Sequence, residues 1–510
     1  MVLSQRAREI QTLVQSFHPL IAIETVEEER VQALLQEATQ DMNMTLFEWS
    51  APQGLARSPG GNVPWTNDYA PPGTLQILDD KTWEPLAMLR YIQDMNLRAL
   101  FWLKDLVPHL DEPVIIRQFR EVVQMFAHHR SALVLTGNSV ELPPEIAPTL
   151  VYFDLKLPGR DELERITRKT LGVLKMKHRI QVQLQDEEQS QLVKALTGMT
   201  LQQAQQVLGF AAFEDGLLDA SDIQNILNRK AQVIREESLL QYFPSTTLTA
   251  ELGGFGGLKR WLDQAQVGFS AAAKHWNLPA PKGILIVGIQ GCGKSLAAKA
   301  IARLWQMPLL KLEAGRIYDK YVGESEKNFR QAVTLAESMA PSILWIDELE
   351  KGFSLQKGEG DGGLSQRLFG FFLTWLQEKS QEVFVVATAN DISQIPPELL
   401  RKGRFDEIFF VDLPDAAERA SILKIHLKLH GHSTQKLDLE TLVQAMTGFS
   451  GAEIEQAVIS ALYRCLYLQK PLETAIILEQ IQNTIPLSVS RREDLDALRL
   501  LAKDRFVSVR

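Results

Sequence analysis

The chain has 510 residues, with 54 Lys plus Arg against 63 Asp plus Glu, a formal net charge of −9, 45% hydrophobic and 23% charged residues. At roughly 150 residues per domain this makes three or four folding units, and such fractions exclude a disordered tail or a coiled coil. The acidic balance argues against a surface built to neutralise nucleic-acid phosphates or anionic lipid, and the two cysteines, Cys292 and Cys465, exclude a disulfide framework or a four-thiolate zinc site.

The N-terminal MVLSQRAREIQTLVQSFH has no basic segment leading into an apolar core. No run approaches the roughly 18 apolar residues of a membrane span, so the expectation is a soluble, intracellular protein with no membrane span. Apolar β-forming runs at 20–23 (LIAI), 99–103 (ALFWL) and 132–135 (ALVL), followed later by ILIV, SILWI and EVFVVAT, alternate with helical patterns. That alternation predicts an α/β fold with parallel sheets covered by helices. The Pro- and Gly-rich stretch from Ser50 to Gly73 predicts a long loop. A second break at 243–257 is the predicted main boundary.

An internal repeat organises the chain. Residues 133–166 and 385–422 share the order strand, Thr-x-Asn, Pro-Pro-Glu, strand, Leu-Pro, acidic helix, and LVKALTG at 192–198 aligns with LVQAMTG at 442–448. Two similar segments in the same order imply a tandem duplication, each copy an α/β part followed by a small helical part. The expected domains are 1–158 and 159–242 for the first copy, a linker at 243–257, then 258–415 and 416–510.

In the second copy the strand GILIV runs into Gly288-Ile289-Gln290-Gly291-Cys292-Gly293-Lys294-Ser295 and then a helical pattern. This is a complete G-x-x-x-x-G-K-S phosphate loop in strand-to-helix context. Its glycines let backbone N–H groups wrap a phosphate at a helix N-terminus. Lys294 is placed to reach the β- and γ-phosphates of ATP, and Ser295 to complete a Mg2+ shell. A later strand ends in Asp347-Glu348, where Asp347 is the candidate metal-side carboxylate and Glu348 the candidate base for the attacking water. Cys292 reads either as a thiol with a lowered pKa at a helix N-terminus or as a small space-filling residue.

With these motifs, residues 250–510 resemble the ATPase module of the AAA family of hexameric ATPases. The resemblance implies ATP and Mg2+ as cofactors. It implies that Asn390 orients the lytic water, and that Arg401 and Arg404 of Leu400-Arg401-Lys402-Gly403-Arg404-Phe405 are arginine fingers acting on a neighbouring subunit, hence a homo-oligomeric ring. Tyr321 and Val322 match the family's first pore loop, which grips an extended polypeptide. GEGDGG at 358–363 falls where a second pore loop stands, or is a flexible surface loop. Gly451 and Ala452 match the start of the lid helix beside the nucleotide. Departures are Ile289-Gln290 for Pro-Pro, and Cys292 and Ser295 for Thr. Ser490-x-x-Glu493 reads as a capping box for a terminal packing helix.

The first copy lacks this chemistry. Lys104 in FWLKDL stands where LWIDEL has Asp347, and TVEEERV after LIAIE has no glycine and puts Glu27, Glu28 and Glu29 where phosphates need cations. Pro144 to Pro158 spans 158 − 144 = 14 positions against 414 − 397 = 17 in the second copy, and both finger arginines are missing. Asn138 remains, in a structural role. The first module is therefore expected to keep the nucleotide-binding fold without binding nucleotide. His109, His128 and His129 have no metal-ligand spacing, and the aromatic residues read as core.

The whole chain, one degenerate copy before one active copy, resembles the divergent AAA family encoded as an open reading frame in red-algal plastids and cyanobacteria. That resemblance implies plastid stroma or cyanobacterial cytoplasm and a link to photosynthesis or carbon assimilation. The expected function is ATP-driven remodelling or threading of a protein substrate. The alternative is a slow nucleotide-gated scaffold or regulatory switch; a nucleic-acid motor is disfavoured by the charge.

Overall fold

The computed structural model describes all residues except 1–4, 59–75, 78–80, 96, 129, 179, 238, 246–250, 314–321, 354–363, 402, 436 and 504. Two compact units divide the chain: Met1–Lys156 with Thr200–Gln202, and Leu157–Met199 with Gln203–Arg510.

The first unit is built on β1 (Leu20–Glu24), β2 (Thr45–Ser50), β3 (Gly54–Arg57), β4 (Gln76–Ile77), β5 (Ala99–Lys104), β6 (Ala132–Gly137) and β7 (Leu150–Tyr152). They form one sheet in the order β4-β3-β2-β5-β6-β1-β7. Then come a short ladder of β8 (Gln181–Val182) and β9 (Leu217–Leu218), followed by β10 (Leu240–Phe243), β11 (Gly283–Gly288), β12 (Leu309–Glu313), β13 (Ser342–Asp347), β14 (Val383–Ala389), β15 (Glu407–Val411) and β16 (Val507–Ser508). The second large sheet has the order β10-β12-β13-β14-β11-β15-β16.

Each large sheet contains five parallel strands in one arrangement, β2-β5-β6-β1-β7 in the first and β12-β13-β14-β11-β15 in the second. The corresponding strands β1 and β11 lie inside the sheet in both, between β6 and β7 or between β14 and β15, with the carboxyl end of β5 or β13 one strand further on. Ligands of parallel α/β sheets bind at such carboxyl ends. The tandem α/β architecture is therefore present, with additions at the edges: β3 and β4 pair antiparallel to their neighbours in the first sheet, and β10 does so in the second.

Alternating strand residues supply the two faces. In the second sheet Leu285, Val287, Leu344 and Ile346 pack with Phe329 and Phe372 on one side, while Ile284, Ile286, Ile343 and Trp345 pack with Ala297, Ile301 and Leu258 on the other. In the first, Phe47, Phe101 and Leu133 face Phe119 and Leu89, whereas Leu100, Trp102 and Val134 face Val14 and Leu35. Such strands read as continuous apolar runs because both faces are covered.

The helical part of the second copy, Ala416–Leu429, Leu439–Ala445, Gly451–Leu468 and Thr474–Gln482, closes around Leu423, Leu442, Phe449, Ile454, Val458 and Ile477. In the first copy Arg160–His178, Asp186–Leu196, Leu201–Asp215 and Asp222–Glu237 follow the same order. The shared Thr-Gly pairs make the same turn, with φ of 89° at Gly198 and 83° at Gly448. Ile234, Leu240 and Tyr242 join the core of the second sheet.

Three local expectations change. The Ser50–Gly73 stretch is not loop throughout: Gln53 N–H donates to Ser50 O in a tight turn, and Gly54–Arg57 returns as β3. Residues 59–73 of it lie outside the described residues. Ser490 does not cap the last long helix. That helix starts at Arg492 with no side-chain cap, and the Ser490 hydroxyl turns back to Pro486 O. The C-terminal part is not helical to its end, because β16 pairs parallel with β15. Among the described residues no helix is long and apolar enough to cross a membrane.

Candidate functional site

Strand β11 ends at Gly288, where φ is 152° and an added Cβ would lie 2.1 Å from Val411 O, so only glycine fits between β11 and β15. The loop then uses positive φ at Gly291 (75°) and Gly293 (86°) before helix Lys294–Trp305 begins. The buried Lys294 ammonium donates to Gly288 O and Ile289 O, both at 2.8 Å. Burial holds its pKa down at about 8 against the pull of nearby carboxylates. The loop is thus folded around its own lysine, which a phosphate would draw away from these carbonyls.

Parallel pairing brings the ends of β12, β13 and β14 alongside. Asp347 Oδ1 accepts from the Ser295 hydroxyl at 3.1 Å and from the Thr388 hydroxyl at 2.6 Å, and Lys311 Nζ lies 3.4 Å from Oδ2. Glu348 sits in the left-handed region at φ 52°, unusual for a non-glycine residue. This turns its side chain out of the strand alternation. Asn390 Nδ2 donates to Glu348 Oε1 at 3.4 Å, and Lys351 Nζ pairs with Glu348 Oε2 at 2.6 Å. Below them, buried Glu350 accepts the Asn390 N–H at 3.0 Å, which fixes the Asn390 backbone, and burial raises the Glu350 pKa.

The lid helix Gly451–Leu468 begins with a real capping box: Ser450 Oγ accepts from Glu453 N–H, and Glu453 Oε2 accepts from Ser450 N–H at 2.7 Å. Ala452 N–H donates to Gly291 O at 2.9 Å. An added Cβ at Gly451 would stand 3.2 Å from that same oxygen, and one at Gly291 would stand 3.1 Å from Ala452 Cβ. Small residues at 451 and 452 are what let the lid touch the phosphate loop. Between them opens a cavity of about 1050 Å³. Its walls include Gln290 to Ser295, Asp347, Glu348, Thr388, Asn390, Gly451 and Ala452, together with apolar Phe255 and Ile422 and with His426. The volume suits a nucleotide-sized ligand.

Other expected residues fall elsewhere. Ile289 is buried among the core side chains behind the loop. Cys292 is buried too, and burial pushes its thiol up to about 12. The lowered-pKa reading is therefore wrong, because desolvation outweighs the Lys294 charge, and the space-filling reading stands. Arg401 is exposed, Arg404 Nη1 donates to Leu373 O at 3.4 Å, and neither lines the cavity. Tyr321 and residues 358–363 lie outside the described residues, and Val322 begins helix Val322–Ser338.

The first module shows the same framework without the loop. From Glu24 to Glu28 only residues 25–27 intervene before the helix, against 289–293 in the second module. Lys104 pairs with Glu28 at 3.3 Å and Glu48 at 3.2 Å, and Glu27 with Arg30 at 3.2 Å. Asp105, aligned with Glu348, keeps the left-handed backbone at φ 49°. Sequence reasoning missed Thr388, Lys311, Lys351 and Glu350. Only Thr388 had a signal, the Thr-x-Asn shared by both copies.

Residues 284–413 match the ATPase family associated with various cellular activities (AAA). Residues 6–155 match the N-terminal domain, and 161–237 the second domain, of SpoVK-like AAA ATPases. The chain is similar along nearly its whole length to proteins named "Uncharacterized AAA domain-containing protein ycf46". The one from Pyropia yezoensis is 34% identical over 501 residues, covering 98% of this chain and 97% of the relative. Those from Guillardia theta (34% over 497 residues, 96% and 94%) and Trieres chinensis (34% over 482 residues, 94% and 93%) agree. A phosphate loop, an acid-tipped strand of the same sheet and a touching lid thus coincide with full-length similarity, and the chain belongs to the AAA ATPase family, alongside the ycf46 AAA domain-containing proteins.

Proposed function

We propose that the second module binds ATP with Mg2+ and hydrolyses it, and that the cycle drives a ring-forming assembly that remodels or threads a protein substrate. The observation that carries the reading is the convergence of Ser295, Asp347, Glu348 and Asn390 with the glycine loop on one cavity. The Ser295 hydroxyl and Asp347 carboxylate are oxygen donors that suit Mg2+, which when bound would neutralise phosphate charge. Backbone N–H groups of 291–295 and Lys294 bind and orient the phosphates. Glu348, held by Asn390, takes a proton from water once Lys351 releases it. Arg401, exposed and away from its own cavity, is available to a neighbouring subunit, and Arg404 is the second candidate finger. The first module, its loop shortened and its acid replaced by Lys104, serves assembly or substrate docking without nucleotide. The compartment and the link to photosynthesis or carbon assimilation are carried by the family likeness alone.

A slow switch is the second reading, favoured by the 2.6 Å Lys351–Glu348 pair that occupies the base. Glu348→Gln should retain ATP binding and lose roughly 100- to 10,000-fold in hydrolysis. With ATP it should accumulate as a ring holding a captured protein, seen by imaging and affinity capture. Assemblies no larger than a dimer would remove the neighbour-acting arginines and the threading reading. Unchanged hydrolysis would remove Glu348 as the base.

A further inference from the structure

Lys311 stands on β12 directly opposite Trp345 of β13. Its ammonium lies 3.4 Å from Asp347 Oδ2 and 4.6 Å from the Trp345 ring centre, and the two charged side chains are only 22% and 23% exposed. In the first module the residue opposite the equivalent tryptophan, Trp102, is Glu48, and the residue two positions after that tryptophan is Lys104. Lys104 Nζ lies 3.2 Å from Glu48 Oε2 and 4.0 Å from the Trp102 ring centre. Both modules therefore carry an acid–base pair across the same two strands and a cation on the same indole, but with the signs exchanged. In the module with the phosphate loop the carboxylate is on the metal-side strand; in the other, the ammonium is.

From this we propose that Lys311 is a resident counter-ion that competes with divalent metal for Asp347, and so sets how much free Mg2+ the second module requires. The inference rests on the ATP-binding reading above. An ammonium has no lone pair and cannot ligate, so Lys311 acts only through its field and its hydrogen bond. Two effects oppose each other. Lys311 orients the carboxylate, which favours metal binding, and it pre-neutralises the carboxylate and repels a dication, which disfavours it. Orientation does not depend on Lys311, because Oδ1 is already held by the Ser295 and Thr388 hydroxyls at 3.1 and 2.6 Å. The charge effect therefore wins, and the Trp345 face keeps a partner for the ammonium when metal displaces it. A unit charge beside a partly buried carboxylate corresponds to a change on the order of tenfold in the affinity of a dication.

The test uses the full-length chain and a fluorescent ATP analogue, with binding followed as free Mg2+ is raised from an EDTA-buffered baseline. In Lys311→Met the Mg2+ concentration at half-maximal enhancement should fall about tenfold, whereas Lys311→Arg should stay near wild type. Lys311→Gln replaces the Met variant should that one fail to fold. A purely structural role for Lys311 would lower the melting temperature and weaken binding at every Mg2+ concentration without moving the midpoint. That result, or a midpoint that rises, overturns the inference while leaving the nucleotide site intact. A wild-type chain that binds no nucleotide at any Mg2+ concentration overturns the ATP-binding reading and the inference together.

Discussion

Replacing Gly451 by valine asks whether the lid must touch the phosphate loop for nucleotide to bind. A Cβ at 451 would stand 3.2 Å from Gly291 O and 3.9 Å from Ile422 Cδ1, so alanine needs a shift of a few tenths of an ångström and valine a larger one. The helix itself does not resist, because Gly451 is its first residue, has no positive φ, and glycine is the less favoured residue in a helix. What is lost is the 2.9 Å bond from Ala452 N–H to Gly291 O. A net hydrogen bond is worth about 1 kcal/mol, which with some loosening of the cavity wall becomes roughly tenfold in affinity. Titration of a fluorescent ATP analogue into full-length Gly451→Ala and Gly451→Val should give losses of about threefold and about tenfold. Gly209→Ala, where a Cβ meets nothing within 4 Å, is the control. Melting temperatures should stay within about 2 °C of wild type, since helix gain and contact loss offset each other. Valine binding within twofold of wild type would refute the reasoning. So would a melting temperature that falls in step with affinity.

Two further outcomes follow from buried titratable groups. Burial pushes the Cys292 thiol up to about 12, so at pH 8 its alkylation should run at least about 100-fold slower than that of a free thiol, and Cys292→Ala should keep nucleotide binding. Fast labelling of Cys292 by mass spectrometry would contradict this. Lys230, buried with its ammonium on Ala195 O (3.1 Å) and Thr197 O (2.5 Å), is held by burial at about 7 instead of 10.5. Between these values the unfolded chain binds more protons than the folded one, so its contribution to stability rises with pH from about 7 towards 10.5 and is lost as pH falls through about 7. Urea midpoints of wild type should therefore gain on Lys230→Met between pH 7 and 9.5; parallel curves would exclude the effect.

Much of the fold was legible because it is written in local patterns. Both-face burial makes β1, β5, β6, β11, β13 and β14 continuous apolar runs, and the repeat of Thr-x-Asn and Pro-Pro-Glu exposed the duplication. The central strands read well, while the flanking β2 and β12 did not stand out. LLKLE, with Lys311 at its centre, has no distinguishing period in five residues. The pairs β10 to β12 and β16 to β15 were equally hidden, since edge pairing joins residues 66 to 98 positions apart, for example Phe243 to Leu309 and Phe409 to Val507.

For the site, a fixed spacing such as G-x-x-x-x-G-K-S reports chemistry directly, because loop backbone, lysine and hydroxyl must sit within one turn of the same helix. Lys104 in place of the acid likewise told from residues alone that the first copy has different chemistry. Tertiary packing decided what spacing cannot encode: desolvation and juxtaposition. Cys292 at a helix start left two readings open, a lowered-pKa thiol or a small space-filling residue, and burial, which raises its pKa, decides for the second. Lys311 and Lys351 acquire meaning only because strand register and a left-handed turn at Glu348 bring them to Asp347 and Glu348. Electrostatic energy depends on distance and on exclusion of water, and neither exists until the sheet and lid have closed around the site.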